Sequence, residues 1–156
     1  MMRLRLFLCA TILWLFLLAC KNPNGPVQNP DFVIITDQHP ATLLLDPFSL
    51  KSMELVGDII KIDITHGGGC KDHEYKLFMS PAAFLESFPV QANLYFQHNS
   101  NGDACKALIH TTVAFNLRPI AELYQNFYSR KDEIIINVFD YFENEPGHNL
   151  SVSYFP

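Results

Sequence analysis

The chain has 156 residues, a formal net charge of −5 and an apolar fraction of 49%. That length suffices for one domain, and the modest negative charge, with no basic run after Cys20, excludes the electrostatic footprint of a nucleic-acid-binding protein. The first twenty residues inflate the apolar fraction, yet the remainder keeps enough Phe, Tyr, Ile, Leu and Val to fill a core.

The N-terminal stretch MMRLRLFLCATILWLFLLAC carries Arg3 and Arg5, then an apolar run from Leu6 to Leu18, then Ala19 before Cys20. The run is too short to span a bilayer and polar, Pro-rich chain follows at once, so residues 1–19 read as a secretory signal peptide. Its end, Leu17-Leu18-Ala19-Cys20, resembles the lipobox of bacterial lipoproteins. The resemblance implies cleavage before Cys20 and acylation of its thiol and new amino group by palmitate-type chains. Several acyl chains on one residue hold a domain firmly at a membrane, where one alone binds only marginally. Lys21 is not the Asp that marks inner-membrane retention in enteric members of that class, so the resemblance points to the outer membrane of the cell envelope. After Cys20, KNPNGPVQNPD is rich in Pro, Asn and Gly. Residues 20–31 therefore read as the lipidated cysteine and a flexible tether of about ten residues. Residues 32–156 are expected to form a single β-rich globular domain.

Within that domain, FVIIT and ATLLLD are short apolar runs separated by the turn-like DQHP. ELVGDIIKIDITH reads as one strand, with Val56, Ile60, Ile62 and Ile64 on one side and a bulge near Asp58–Ile59. Gly67 to Gly69 end it. In HEYKLFMS, Glu74 and Lys76 face water, so His73, Tyr75, Leu77 and Met79 point inward. SPAAFLESFP is a connection with one helical turn after a Ser80 cap. VQANLYFQH places Ala92, Leu94, Phe96 and His98 on one face. NSNGDA turns the chain into CKALIHTTVAFNL, where Cys105, Ala107, Ile109, Thr111, Val113 and Phe115 share a register. RPIAELYQNFYS is expected as a helix over 118–129, with Tyr124, Phe127 and Tyr128 forming a core-facing stripe. EIIINVFDYF and NLSVSYF close the chain as strands joined by ENEPGH, and Asp140, Glu143 and Glu145 read as solvated. Seven or eight strands and one helix predict a mainly β protein, an antiparallel β-sandwich or barrel, with an immunoglobulin-like topology among the options.

Chemistry concentrates in one place. If the strands bearing His73 and His98 pair antiparallel, the start of one lies beside the end of the other. Cys70, three residues before His73, and Cys105, seven after His98, are then drawn towards the same rim. Cys9 leaves with the leader and Cys20 is the anchor, so Cys70 and Cys105 remain as a pair, and outside the cytoplasm such a pair is first a disulfide. The alternative is zinc or copper bound by Cys70, His73, His98 and Cys105, since two thiolates and two imidazoles suit either ion. A further option keeps the disulfide and lets His73, His98 and Asp103 hold a metal or small ligand. A thiol-dependent enzyme, with Cys70 as nucleophile and His73 as base, is the second alternative to a binding role. His66 as a base for Ser80 or Ser100 lacks both a nucleophile elbow and an acid partner. HNSNGDAC matches the oxygen-rich calcium loop only in part, with no closing Glu, and reads as a plain turn in which Asp103 bonds local N–H groups.

THGGGCKDHEYKL, PVQANLYFQHNSNGDACKALI and FNLRPIAELY together resemble a set of bacterial lipoproteins that share a Gly-Gly-Gly-Cys-x2-His segment. The resemblance spans Thr65 to Tyr124 and implies a small secreted β-rich domain. It carries no activity. The expectation is therefore a lipid-anchored envelope lipoprotein, a non-catalytic binding or structural module. It has a Cys70–Cys105 disulfide, no resident cofactor, and an envelope protein or small ligand as partner.

Overall fold

A computed structural model describes residues 29–140 and 149–156. The leader, Cys20, most of the tether, Glu143, Glu145 and the ENEPGH connection lie outside the described residues.

The sequence pattern most faithful to its structure is β6 (Val90–Asn99), where Val90, Ala92, Leu94, Phe96 and His98 are buried and the residues between them are not. Strict alternation gives one dry and one wet face. β5 (Glu74–Met79) pairs antiparallel with β6, placing Tyr75 opposite His98 and Leu77 opposite Phe96. On the other side of β6 lies β8 (Ile134–Phe139), which pairs parallel to it and antiparallel to β9 (Asn149–Tyr154). The second sheet is built on β4 (Ile59–Gly68), flanked by antiparallel β3 (Ser49–Val56) and β7 (Ala107–Asn116). Ile60, Ile62 and Ile64 of β4 and Leu94 and Phe96 of β6 are among the fully buried side chains of the shared core. The molecule is a two-sheet sandwich, not a barrel.

The segment before Thr36 closes one side. β1 (Asp31–Phe32) pairs parallel with β7, and β2 (Ile34–Ile35) pairs parallel with β5 in the other sheet. Buried Val33 sits between them and donates its N–H to the Asn116 carbonyl at 3.1 Å. One short stretch thus covers an edge of each sheet, which would otherwise expose unpaired backbone groups. At the other side β3 lies near β9. There the Tyr154 hydroxyl donates to Asp58 Oδ1 at 2.8 Å, and burial, with that carboxylate beside it, pushes the phenol's pKa well up.

Several expectations need correction. ELVGDIIKIDITH is not one strand with a bulge at 58–59. It is the β3–β4 hairpin, turning at Gly57–Asp58 with Gly57 at φ +58°, the left-handed value that a two-residue hairpin with glycine first requires. The register shift falls between Leu50 and Ser52 instead. Val56, at the turn, is 57% exposed. The apolar run ATLLLD opens on a 3-10 turn at Pro40–Thr42 and forms no strand. SPAAFLESFP contains no helical turn. Ser80 is buried and donates its hydroxyl to the Gln38 carbonyl at 2.6 Å, so it ties two loops and does not cap. Helix α1 (Arg118–Tyr128) stands where expected, but of the aromatic stripe only Tyr124 is core, while Phe127 is 62% exposed. α1 carries the chain from β7 in one sheet to β8 in the other, and β8 enters parallel to β6, so the sheets are mixed.

Ile62 lies opposite Met53 and Val113 with no solvent contact. Ile62→Ala is expected to lower unfolding free energy by about 2–5 kcal/mol, read as a lower urea midpoint with an unchanged denaturant slope.

Candidate functional site

β4 ends with His66-Gly67-Gly68, β5 begins just after His73, β6 ends just after His98, and the chain between β6 and β7 carries Asp103 and Cys105. Antiparallel pairing brings these ends to one rim of the sandwich, as the spacing argument required. Cys70 and Cys105 form a disulfide with their α-carbons 5.9 Å apart, joining the loop after β4 to the loop before β7 across a sequence separation of 35.

The centre of the rim is Asp103. Its Oδ2 accepts from the backbone N–H groups of Gly69 and Cys70 at 2.8 Å and Lys71 at 3.0 Å, and its Oδ1 accepts from Cys105 N–H at 2.9 Å. A carboxylate surrounded by donors is stabilised in its charged form. The N–H groups of Cys105 and Cys70, with further help from Lys71 and His73, hold its pKa far below the usual carboxylate range. Lys71 returns the contact, donating Nζ to the carbonyls of Asn101 and Gly102 at 2.8 and 2.9 Å. Asn101 and Gly102 take left-handed angles, φ 52° and 67°, and so aim those carbonyls at the facing loop.

Behind this clasp lie three imidazoles. His66 and His98 are 4% and 1% exposed, and the His73 side chain is 5% exposed. His73 Nδ1 is 2.7 Å from His98 Nε2, and His73 Nε2 is 3.2 Å from Asp103 Oδ2. The Tyr75 hydroxyl is 2.8 Å from His66 Nε2. Ring centroids are 4.4–4.9 Å apart among the three histidines. The segment before β3 closes the back: His98 Nδ1 meets the Pro47 carbonyl at 3.3 Å, and Asp46 accepts from Ser100 N–H at 2.7 Å. Burial, then the neighbouring His66 and His73, push the His98 pKa down, while Pro47 and Asp46 oppose them. The Asp46 carboxyl is lowered, chiefly by the Ser100 N–H. Gly68 is essential to this packing. At φ +141°, a Cβ built on it would lie 2.6 Å from His73 Cε1 and 2.7 Å from Nε2.

All four residues singled out for a metal, Cys70, His73, His98 and Cys105, come together, but not as a donor set. Each sulfur is bonded to the other and offers no thiolate. Asp103 does more than bond its own turn, since three of its donors come from the facing loop. Ser80 and Ser100 bond backbone and Asp46 groups. His66 was weighed in the sequence only as a base for Ser80 or Ser100, and its place beside His73 and His98 was missed. Its parity is that of Ile60, Ile62 and Ile64, and continuing that alternation two residues places it inside.

The architecture and this corner define a class: a small two-sheet β-sandwich pinned at one rim by a disulfide. Residues 33–151 match the NigD-like C-terminal beta sandwich domain, and the chain belongs to that family. Two serve as examples of the solved structures that share its fold. One is a toxin-related protein from Parabacteroides distasonis, 21% identical, with a TM-score of 0.54 over 80% of this chain and 60% of that one. The other is a NigD-like immunity protein from Bacteroides caccae, 17% identical, with a TM-score of 0.56 over 83% of this chain and 65% of that one. The chain thus spans under two thirds of the length of either protein. No curated protein matches the sequence.

Reduction is expected to add two daltons to the intact mass. Cys105→Ser should destabilise the fold by about 4 kcal/mol, the chain-entropy value for a loop of this size, measured by urea unfolding without reductant.

Acid should also destabilise the protein. The folded-state pKa of Asp103 lies below its unfolded value, so in acid the unfolded chain binds more protons and stability falls as pH falls. The Asp103 contribution is complete above 3.8 and lost below that. The melting temperature is expected to drop across that window. In Asp103→Asn it should already be lower at neutral pH, with that drop missing.

Proposed function

We propose that this protein is a lipoprotein of the bacterial cell envelope: cut before Cys20, acylated there, and held at the outer membrane by a short tether that presents the sandwich as a non-catalytic binding or structural module. The observation that carries the reading is the leader itself. A charged start, a thirteen-residue apolar run from Leu6 to Leu18, and Leu-Leu-Ala-Cys at its end lie in the order that lipoprotein processing requires. The Cys70–Cys105 disulfide favours an oxidising compartment. It also argues against the thiol-enzyme reading, because the sulfur that would attack is already bonded. Lys21 after the anchor favours the outer over the inner membrane. The names of the similar structures, an immunity protein and a toxin-related protein, favour a protein over a small ligand as partner. The net charge of −5 disfavours nucleic acid.

Expression in a bacterial host with labelled palmitate tests the anchor. The wild-type chain should take up label and partition into the detergent phase of a membrane extract. Cys20→Ala should take up none and remain with its uncleaved leader. Absence of label from the wild type, or its persistence in Cys20→Ala, would remove the proposal.

A further inference from the structure

The hydrogen bonds around the three imidazoles do not close without an additional positive charge. His66 Nδ1 lies 2.9 Å from the Gly67 carbonyl oxygen and His98 Nδ1 lies 3.3 Å from that of Pro47. A carbonyl oxygen only accepts, so both Nδ1 atoms carry protons and donate. His73 Nε2 faces Asp103 Oδ2 at 3.2 Å, and an ionised carboxylate likewise only accepts, so this nitrogen also carries a proton. Each neutral ring therefore turns its lone pair inward, on His66 Nε2, His73 Nδ1 and His98 Nε2. The Tyr75 hydroxyl satisfies the first. The other two meet at 2.7 Å with no hydrogen left to share. In a buried pocket that contact is repulsive unless a proton or a metal ion occupies it.

We propose that this pocket is a zinc site, with His66 Nε2, His73 Nδ1 and His98 Nε2 as ligands and the Tyr75 hydroxyl beside the fourth position. A ring nitrogen of each histidine lies within 4.8 Å of one from each of the other two. Tetrahedral zinc with bonds of ~2.0–2.1 Å sets its ligand nitrogens roughly 3.4 Å apart. Modest side-chain adjustment, opening the His73–His98 contact and turning the Tyr75 hydroxyl off His66 Nε2, meets that requirement. The outer shell is already that of a metal centre, since metal-bound histidines donate their remote N–H to a carbonyl or carboxylate, which fixes the tautomer and aims the lone pair. Gly67, Pro47 and Asp103 do this for the three rings. The carboxylates of Asp103 and Asp46 offset the charge of the ion, and three imidazoles with a polar fourth position are a donor set that zinc favours. The sulfurs take no part, so the site coexists with the Cys70–Cys105 disulfide, and it does not depend on the lipid anchor.

The purified full chain, in detergent, is unfolded in guanidinium without reductant and refolded with or without equimolar zinc. It is then desalted and assayed for metal, circular dichroism and thermal unfolding. About one zinc ion per chain should remain, with the disulfide intact by mass and a raised melting temperature. His66→Gln and His98→Gln should each reduce retained zinc roughly tenfold or more. Cobalt in place of zinc should give visible absorption without a thiolate charge-transfer band. The proposal is overturned if refolded wild-type protein retains no zinc, in which case a proton bridges His73 and His98. Equal retention in both variants, or a thiolate band with cobalt, would overturn it as well.

Discussion

One carboxylate organises the rim of this sandwich. Asp103 gathers three N–H groups from the loop after β4 and one from its own loop, and presents its remaining capacity to His73. Backbone N–H groups in a non-repetitive loop have no ladder to satisfy them. A short buried acid supplied by the facing loop solves that for three consecutive residues at once. The disulfide then links the same two loops covalently, through Cys70, the middle one of the three donors, and Cys105, two residues after Asp103. Neither contact alone would fix both loops: the carboxylate needs the loops aligned, and the sulfur pair needs the α-carbons within bonding range.

That clasp lets the fold carry histidines where strands usually carry aliphatics. His66 extends the isoleucine stripe of β4, and His98 extends the Val-Ala-Leu-Phe stripe of β6. Each would be a liability inside an apolar core, because a buried imidazole needs partners for both nitrogens. At the rim four of the six ring nitrogens find them in the Gly67 and Pro47 carbonyls, the Tyr75 hydroxyl and Asp103, and His73 Nδ1 and His98 Nε2 face each other. Gly68 supplies the remaining room, since any side chain there would occupy the place of the His73 ring. The greasy interior of the sandwich thus grades into a polar pocket along two strands that never change parity.

How much of this could be read in advance varies with the length scale of each feature. β6 and α1 were legible because their periodicity is local and undisturbed: ten residues of alternation, and apolar positions at helical spacing after a proline. β3 was not, because SLKSMELV is mostly exposed or half-buried at a sheet edge and carries a register shift, which leaves a weak pattern. The β3–β4 turn was mistaken for a bulge because Gly57-Asp58 interrupts an otherwise continuous apolar run. Phe127 was assigned to the core on spacing alone, although an eleven-residue helix lying on a sandwich buries one face and leaves the rest to solvent.

The chain's own order of residues sufficed to establish a β-rich domain and the inward parity of His73 and His98, and it left Cys70 and Cys105 open between a disulfide and a metal site, which the structure decided for the disulfide. Domain class and parity follow from side-chain alternation, which is a property of a strand in isolation. Tertiary structure alone decided that β8 enters parallel to β6, that Asp103 serves the opposite loop, and that His66 joins the other two rings. Those outcomes depend on which sheet edge each strand finds and on distances across 30 or more residues, and no local pattern encodes such a distance.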